Sequence, residues 1–228
     1  MTDAVGIRLL PDEPSPPPAG RMPVGRALCW RSLFDGQEAE AAVKVFMAPR
    51  AYVRVCAHAG SDLEHEVGGA LVGLHRMEDQ SGETFIVIEA ALPARHTRFG
   101  RSYLTFTHDS LVGIHNDLER RLPGREILGW YHTHPGMGVF LSGYDQWLHE
   151  HFFPEAWQVA LVIEPRDSEG GFFARRGDGS LDPRAYSGFY ELLRNGRESL
   201  MRWTNLAAEE EPMAAERGPV APAEGGGR

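Results

Sequence analysis

One stretch constrains this chain more than any other: Glu126 to Asp145, reading EILGWYHTHPGMGVFLSGYD. Its first half, Glu126 to Tyr131, predicts a strand, because Ile127, Leu128, Trp130 and Tyr131 are apolar or aromatic and only Gly129 is small. His132 and His134 follow at i, i+2. On an extended backbone that spacing sends both imidazoles out of one face of the sheet. Pro135 and Gly136 end the strand, since proline has no N–H for the ladder and glycine permits a sharp turn. Ser142 and Asp145 then stand at i, i+3, on one face of a first helical turn. Ser142 suits an N-cap, and a carboxylate in the first turn is favoured by the helix dipole. Two imidazoles and a carboxylate converging from a strand end and a helix start match the needs of a catalytic zinc. Such a metal takes three protein ligands and keeps a fourth position for water.

The pattern His132-Thr133-His134-Pro135, then six residues, then Ser142-x-x-Asp145, resembles the signature of the JAMM/MPN-type metallopeptidases. These are zinc isopeptidases that remove ubiquitin and ubiquitin-like proteins. The family also uses a glutamate at the start of a Gly-rich strand, and EVGGALVG from Glu66 to Gly73 is similar to that element. The resemblance spans roughly residues 38 to 195 and rests on five separated positions. It implies an α/β fold of the MPN/JAMM (cytidine-deaminase-like) kind, a central mixed, mostly antiparallel β-sheet flanked by helices.

Composition narrows the function classes. The chain has 228 residues, 42% of them hydrophobic, enough for one core-bearing domain with tails. A formal net charge of −9 argues against a nucleic-acid surface, which needs a basic patch. Cys29 and Cys56 are too few and too scattered for a disulfide framework or a cysteine zinc site. No stretch reaches the ~20 apolar residues of a membrane helix. MTDAVGIRLLPDEPSPPP lacks the cationic and apolar regions of a signal peptide, so a cytoplasmic location is expected.

Taken in order, residues 1–37 are expected to be a Pro-rich lead-in, with 11–20 extended or disordered. The apolar patch Leu28 to Phe34 is expected to be a strand or arm packed on the main domain. A first strand is predicted over Ala39–Met47. A helix opening near Pro49 follows, with Tyr52, Val55, Cys56 and Ala59 on one face. Glu66–Met77 and Thr84–Leu92 read as strands, and Ala94–Arg101 as a basic loop carrying Arg95, His96, Arg98 and Arg101. Tyr103–Thr107 predicts a further strand and His108–Leu122 a helix. The helix begun at Ser142 continues to Phe153. Its His149 and His151, at i, i+2, point to different sides and make no second metal site. Trp157–Glu164 and Gly171–Arg175 suggest a hairpin with a long loop, and Tyr186–Leu193 a last helix. The metallopeptidase domain is thus placed at 38–195, and 196–228 is expected to be a disordered tail, poor in apolar residues and rich in Pro, Gly and Glu.

The resemblance implies hydrolysis of an amide by zinc-activated water, with one zinc per chain on His132, His134 and Asp145. Glu66 would be the general base and acid. Ser142 would donate a hydrogen bond to the developing oxyanion. Gly68 and Gly69 suit a narrow groove for an extended C-terminal tail. Trp130 shares the ligand face by parity and would wall the site on the substrate side. The partner implied is a ubiquitin-like protein or its conjugate, cut after the C-terminal glycine. Two alternatives stand beside this: a non-catalytic MPN-type scaffold for protein–protein interaction, and a peptidase that matures a sulfur-carrier protein. Only eleven residues separate Asp145 from Trp157, too few for the second zinc-bearing insertion of linkage-selective eukaryotic members. That speaks against chain-linkage selectivity, and the compact domain without a large partner-binding extension resembles a bacterial or archaeal member.

Overall fold

The computed structural model describes residues 16–34, 41–94, 98–100, 103–105, 108–195 and 198–209. Four strands form the centre: β4 (Gly68–Glu78), β5 (Thr84–Pro93), β8 (Glu126–Thr133) and β9 (Val159–Glu164). Their sequences explain why. Every residue of β9 is buried, as is β8 from Leu128 onward, so both read as apolar runs rather than as alternating patterns. β4 pairs antiparallel with both β5 and β8, whereas β8 and β9 run parallel. Gly129 permits that parallel approach: its φ is 148°, and a Cβ there would collide with the Val159 carbonyl.

Outward from β9 lies β10 (Glu169–Phe173). On the other side, β5 is followed by β3 (Lys44–Met47), β11 (Phe189–Leu192), β2 (Ala27–Ser32) and β12 (Leu206–Ala208), while the short β1 (Ala19–Gly20) pairs with β4. The ten-stranded sheet is mixed, with parallel pairings at β1–β4, β3–β5, β3–β11 and β8–β9. Three helices accompany it among the described residues: α1 (Pro49–Ala59), α2 (His108–Arg121) and α3 (Gly143–Phe152). The mixed sheet with helices agrees with the α/β expectation. Among the described residues no helix is long and apolar enough to cross a membrane.

Several expectations need correction. Tyr186–Leu193 is not a helix: Phe189–Leu192 is the strand β11, bonded antiparallel to β2 and parallel to β3. A Gly188-interrupted segment of eight residues would make a weak helix, while extension satisfies backbone groups of two neighbouring strands. Its Glu191 carboxylate, almost fully buried, accepts from Trp30 Nε1 at 2.9 Å and from Ser199 Oγ and Leu200 N–H, each at 2.6 Å. The lead-in is part of the sheet from β1 onward. Within the segment expected to be a tail, 198–209 fold back to end in β12 against β2, and 210–228 lie outside the described residues. The loop joining β9 to β10 is short, not long, turning within 165–168 with Ser168 at φ 56°. The basic loop gives way at β6 (Arg98–Gly100), which pairs with β7 (Tyr103–Thr105) in a separate ribbon; Arg95, His96 and Arg101 lie outside the described residues.

Burial explains the returning C-terminal segment. Met201, Trp203 and Leu206 are buried, and Trp203 packs edge-on against Tyr52 of α1 and Phe189 of β11. Asn205 makes a reciprocal pair with Gly170, accepting its N–H at 3.0 Å and donating to its carbonyl at 3.1 Å. Trp203→Ala is accordingly expected to destabilise the fold by about 3–5 kcal/mol, the usual cost of emptying a buried aromatic site. Urea unfolding checks this, and a change under 1 kcal/mol would show the segment to be an accessory.

Candidate metal centre

The site begins at the C-terminal end of β8. Thr133, between the two histidines, faces away from them and is fully buried. Its N–H donates to the Val67 carbonyl and its Oγ1 accepts from the Val67 N–H, both at 2.9 Å. This pair of hydrogen bonds ties residues 66–67 to the strand end and so holds Glu66 beside the histidines. His134 lies one residue past the strand, its N–H donating to Ile163 O at 2.9 Å. Glu164, wholly buried at the end of β9, then closes the turn. Its carboxylate accepts from the N–H groups of Met137 at 2.8 Å, Gly138 at 3.3 Å and Arg166 at 2.8 Å. Nothing local in the sequence marked Glu164, because a glutamate at a strand end is ordinarily solvated.

Asp145 reaches the site from α3. Ser142 is the N-cap: its Oγ accepts from Asp145 N–H at 3.2 Å, and Asp145 Oδ2 accepts from Ser142 N–H at 2.7 Å, a reciprocal capping box. That box fixes the rotamer of a carboxylate whose oxygens also face the imidazoles. His132 Nε2 and His134 Nε2 are 3.0 Å apart. Asp145 Oδ1 is 3.4 Å from the first and Oδ2 is 3.5 Å from the second. Two ligands of a tetrahedral zinc with bonds of 2.0–2.1 Å stand about 3.3 Å apart, so this donor set fits such an ion. All three residues are at least 98% buried. Burial alone would raise the Asp145 pKa. The charge and hydrogen bond of His132, with bonds to His134 and Ser142, outweigh it and hold the carboxyl well below the usual range. Burial pushes His132 down, which favours the neutral imidazole a metal requires.

Glu66 stands just before β4, 2% exposed, with Oε1 4.0 Å from His134 Nε2. Its Oε2 is buried without a hydrogen-bond partner. Burial raises its pKa to about 7, with the His134 charge opposing and the Asp145 charge adding to the rise. The remaining expected site residues are placed differently. Gly68 stands opposite His132 in the β4–β8 register, and its carbonyl accepts from Ala94 N–H at 2.9 Å. Gly69 is where β5 approaches closely, because a Cβ there would collide with the Leu92 carbonyl. Trp130 shares the histidine face, as parity predicts, but it is fully buried and does not wall the site for substrate. Its indole stacks on His132, with centroids 4.4 Å apart and planes 9° from parallel.

Two buried histidines and an aspartate, with a high-pKa glutamate beside them, define a candidate centre for metal-assisted hydrolysis. Residues 49–175, more than half of the chain, match the family model described as prokaryotic homologs of the JAB domain, and the chain belongs to that family. It is 37% identical over 79 residues to the NAD(+) hydrolase TcpA of Theionarchaea archaeon, covering 34% of this chain and 24% of that protein. It is 30% identical over 129 residues to COP9 signalosome complex subunit 5 of Candida albicans, covering 54% of this chain and 20% of that one. The chain therefore spans about a quarter or less of these relatives' lengths. A solved structure from Desulfitobacterium hafniense superposes with a TM-score of 0.46 at 19% identity, over 61% of this chain and 90% of that one.

The buried glutamate sets a pH signature for the metal-free protein. Its folded pKa lies above the unfolded value of 4.5, so the native state binds more protons between about 4.5 and 7, and stability falls as pH rises through that window. Glu66→Gln removes the ionisation. The metal-free variant is expected to be more stable than wild type at pH 8 and to lose that advantage at pH 4.5 or below. Thermal melts at the two pH values test this.

Proposed function

We propose that this chain is a zinc-dependent peptidase or isopeptidase of the JAB/JAMM type. In this reading it cleaves the amide bond after the C-terminal glycine of a ubiquitin-like protein. The observation that carries the metal part is the convergence of one atom each from His132, His134 and Asp145 within 4.8 Å, all buried. The substrate part rests on the family resemblance of the motif and on membership of the JAB family.

His132 and His134, presented by β8, and Asp145, presented by α3, would hold the ion. Zinc in such a site supplies a water of pKa near 7 and polarises the scissile carbonyl. Glu66, whose Oε1 stands 4.0 Å from His134 Nε2, takes the proton of the attacking water and returns it to the leaving nitrogen. Its raised pKa suits both halves of that task near neutrality. Ser142 Oγ already accepts the Asp145 N–H, so its hydroxyl proton is the part that can donate to the carbonyl oxygen as charge develops. The catalytic unit takes in the strands on both sides of residues 38–195, since β2 and β12 complete the sheet. Retention of the full ligand set and of Glu66 favours catalysis over a scaffold role.

Metal analysis with a peptidase assay on ubiquitin-like fusions tests the proposal. Wild type and Glu66→Gln are expected to carry about one zinc per chain. His134→Ala is expected to carry none. Activity should vanish in both variants, and Ser142→Ala should lose about 100- to 1,000-fold in rate. A wild type that cannot be loaded with zinc sinks the metal reading. Zinc without cleavage of any ubiquitin-like fusion sinks the substrate reading alone.

A further inference from the structure

Metal-binding histidines are ordinarily oriented by a hydrogen bond from the ring nitrogen that does not touch the metal. His132 departs from that pattern, because its Nδ1 is buried without a hydrogen-bond partner. Its imidazole instead lies flat against the indole of Trp130. A stack fixes the plane of a ring only as firmly as the lower ring is itself held. Trp130 is held by its Nε1–H, which donates to His149 Nδ1 at 3.2 Å. An indole N–H is a donor only, and a buried one needs an acceptor.

His149 serves as that acceptor through Nδ1, which leaves the proton of its neutral ring on Nε2, buried without a hydrogen-bond partner. It is 2% exposed, and burial with the nearby Arg175 charge pushes it down to about 3, so the ring is neutral. It lies four residues after Asp145 on α3, on the same face of the helix. Its own ring lies beside Phe153, with centroids 6.2 Å apart and planes 19° from parallel. One helix therefore governs two of the three donors, Asp145 directly and His132 through the indole.

We propose that His149 is a positioning residue of the metal centre, setting the plane of the His132 imidazole through its hydrogen bond to Trp130. The inference rests on His132, His134 and Asp145 being a metal site. It gives a task to a buried histidine that the hydrolytic chemistry leaves unused.

The test compares wild type with His149→Phe, His149→Asn and Trp130→Phe. The first variant keeps a ring beside Phe153 but removes the acceptor. The second returns an acceptor at the place of Nδ1. The third keeps a ring under His132 but removes the donor. Zinc affinity is read by competition with a chromophoric chelator, ligand geometry by the d–d absorption of the cobalt-loaded protein, and packing by the melting temperature of the metal-free protein. His149→Phe and Trp130→Phe are expected to weaken zinc binding by roughly 10- to 100-fold and to shift the cobalt bands. His149→Asn is expected to stay close to wild type in both. A lower metal-free melting temperature with unchanged zinc affinity and cobalt spectrum would make His149 a packing residue and overturn the proposal. Equal losses in the Phe and Asn variants overturn it as well. If His149→Phe does not fold, Trp130→Phe decides: unchanged zinc affinity there refutes the relay. A wild type that binds no zinc is a distinct result, removing the metal reading and this inference together.

Discussion

The antiparallel register of β4 against β8 is the constraint on which the rest of the site depends. Gly68 stands opposite His132, and the two hydrogen bonds between Thr133 and Val67 extend that register past the end of β4. Glu66 is brought to the histidines by this pairing alone, across 66 positions of sequence. A slip of one residue would turn His132 and His134 to the opposite face and carry Glu66 away from them. The register is specified by fits that hold at single positions: Gly129 is where a Cβ would collide with the Val159 carbonyl, and Thr133 is where two hydrogen bonds to Val67 form.

That burial also sets the electrostatics. Removing carboxylates and imidazoles from water is costly unless partners compensate. Asp145 is compensated by two imidazoles and the capping box, and it stays ionised. Glu66 has only a distant histidine and a neighbouring negative charge, and its proton affinity rises toward neutrality. Two carboxyl groups in one pocket are thus pushed in opposite directions by their surroundings. This is the arrangement that separates a ligand from a proton carrier.

Helix α3 is the second organiser. Its N-cap presents Asp145, and its inner face carries His149 to the indole that backs His132. Glu164 performs the matching task from β9, accepting from the Met137 and Gly138 N–H groups of the turn that follows His134 and from the Arg166 N–H of the β9–β10 turn. Carboxylates and imidazoles far apart in sequence therefore share one small region: backbone N–H groups satisfy Asp145 and Glu164, whereas Glu66 Oε2 and His132 Nδ1 are buried without a hydrogen-bond partner.

Much of the donor set was legible in the sequence, because its geometry is local. An i, i+2 pair on a strand and an i, i+3 pair at a helix start have directions that follow from backbone periods alone. The same periods put Trp130 on the histidine face but were silent on its depth. Only packing showed the indole to be buried behind His132 rather than facing a substrate. Gly69 was legible as a close approach, yet which backbone approached, that of β5, was a tertiary matter. The helix expected over Tyr186–Leu193 failed for the same reason. A four-residue strand gains its stability from β2 and β3 on either side, and those partners lie well over a hundred positions away in the sequence. Local periodicity thus determined which side chains could share a face. Long-range pairing and burial decided which of them met, because hydrogen-bond register and exclusion of water belong to the assembled sheet and not to any segment of it.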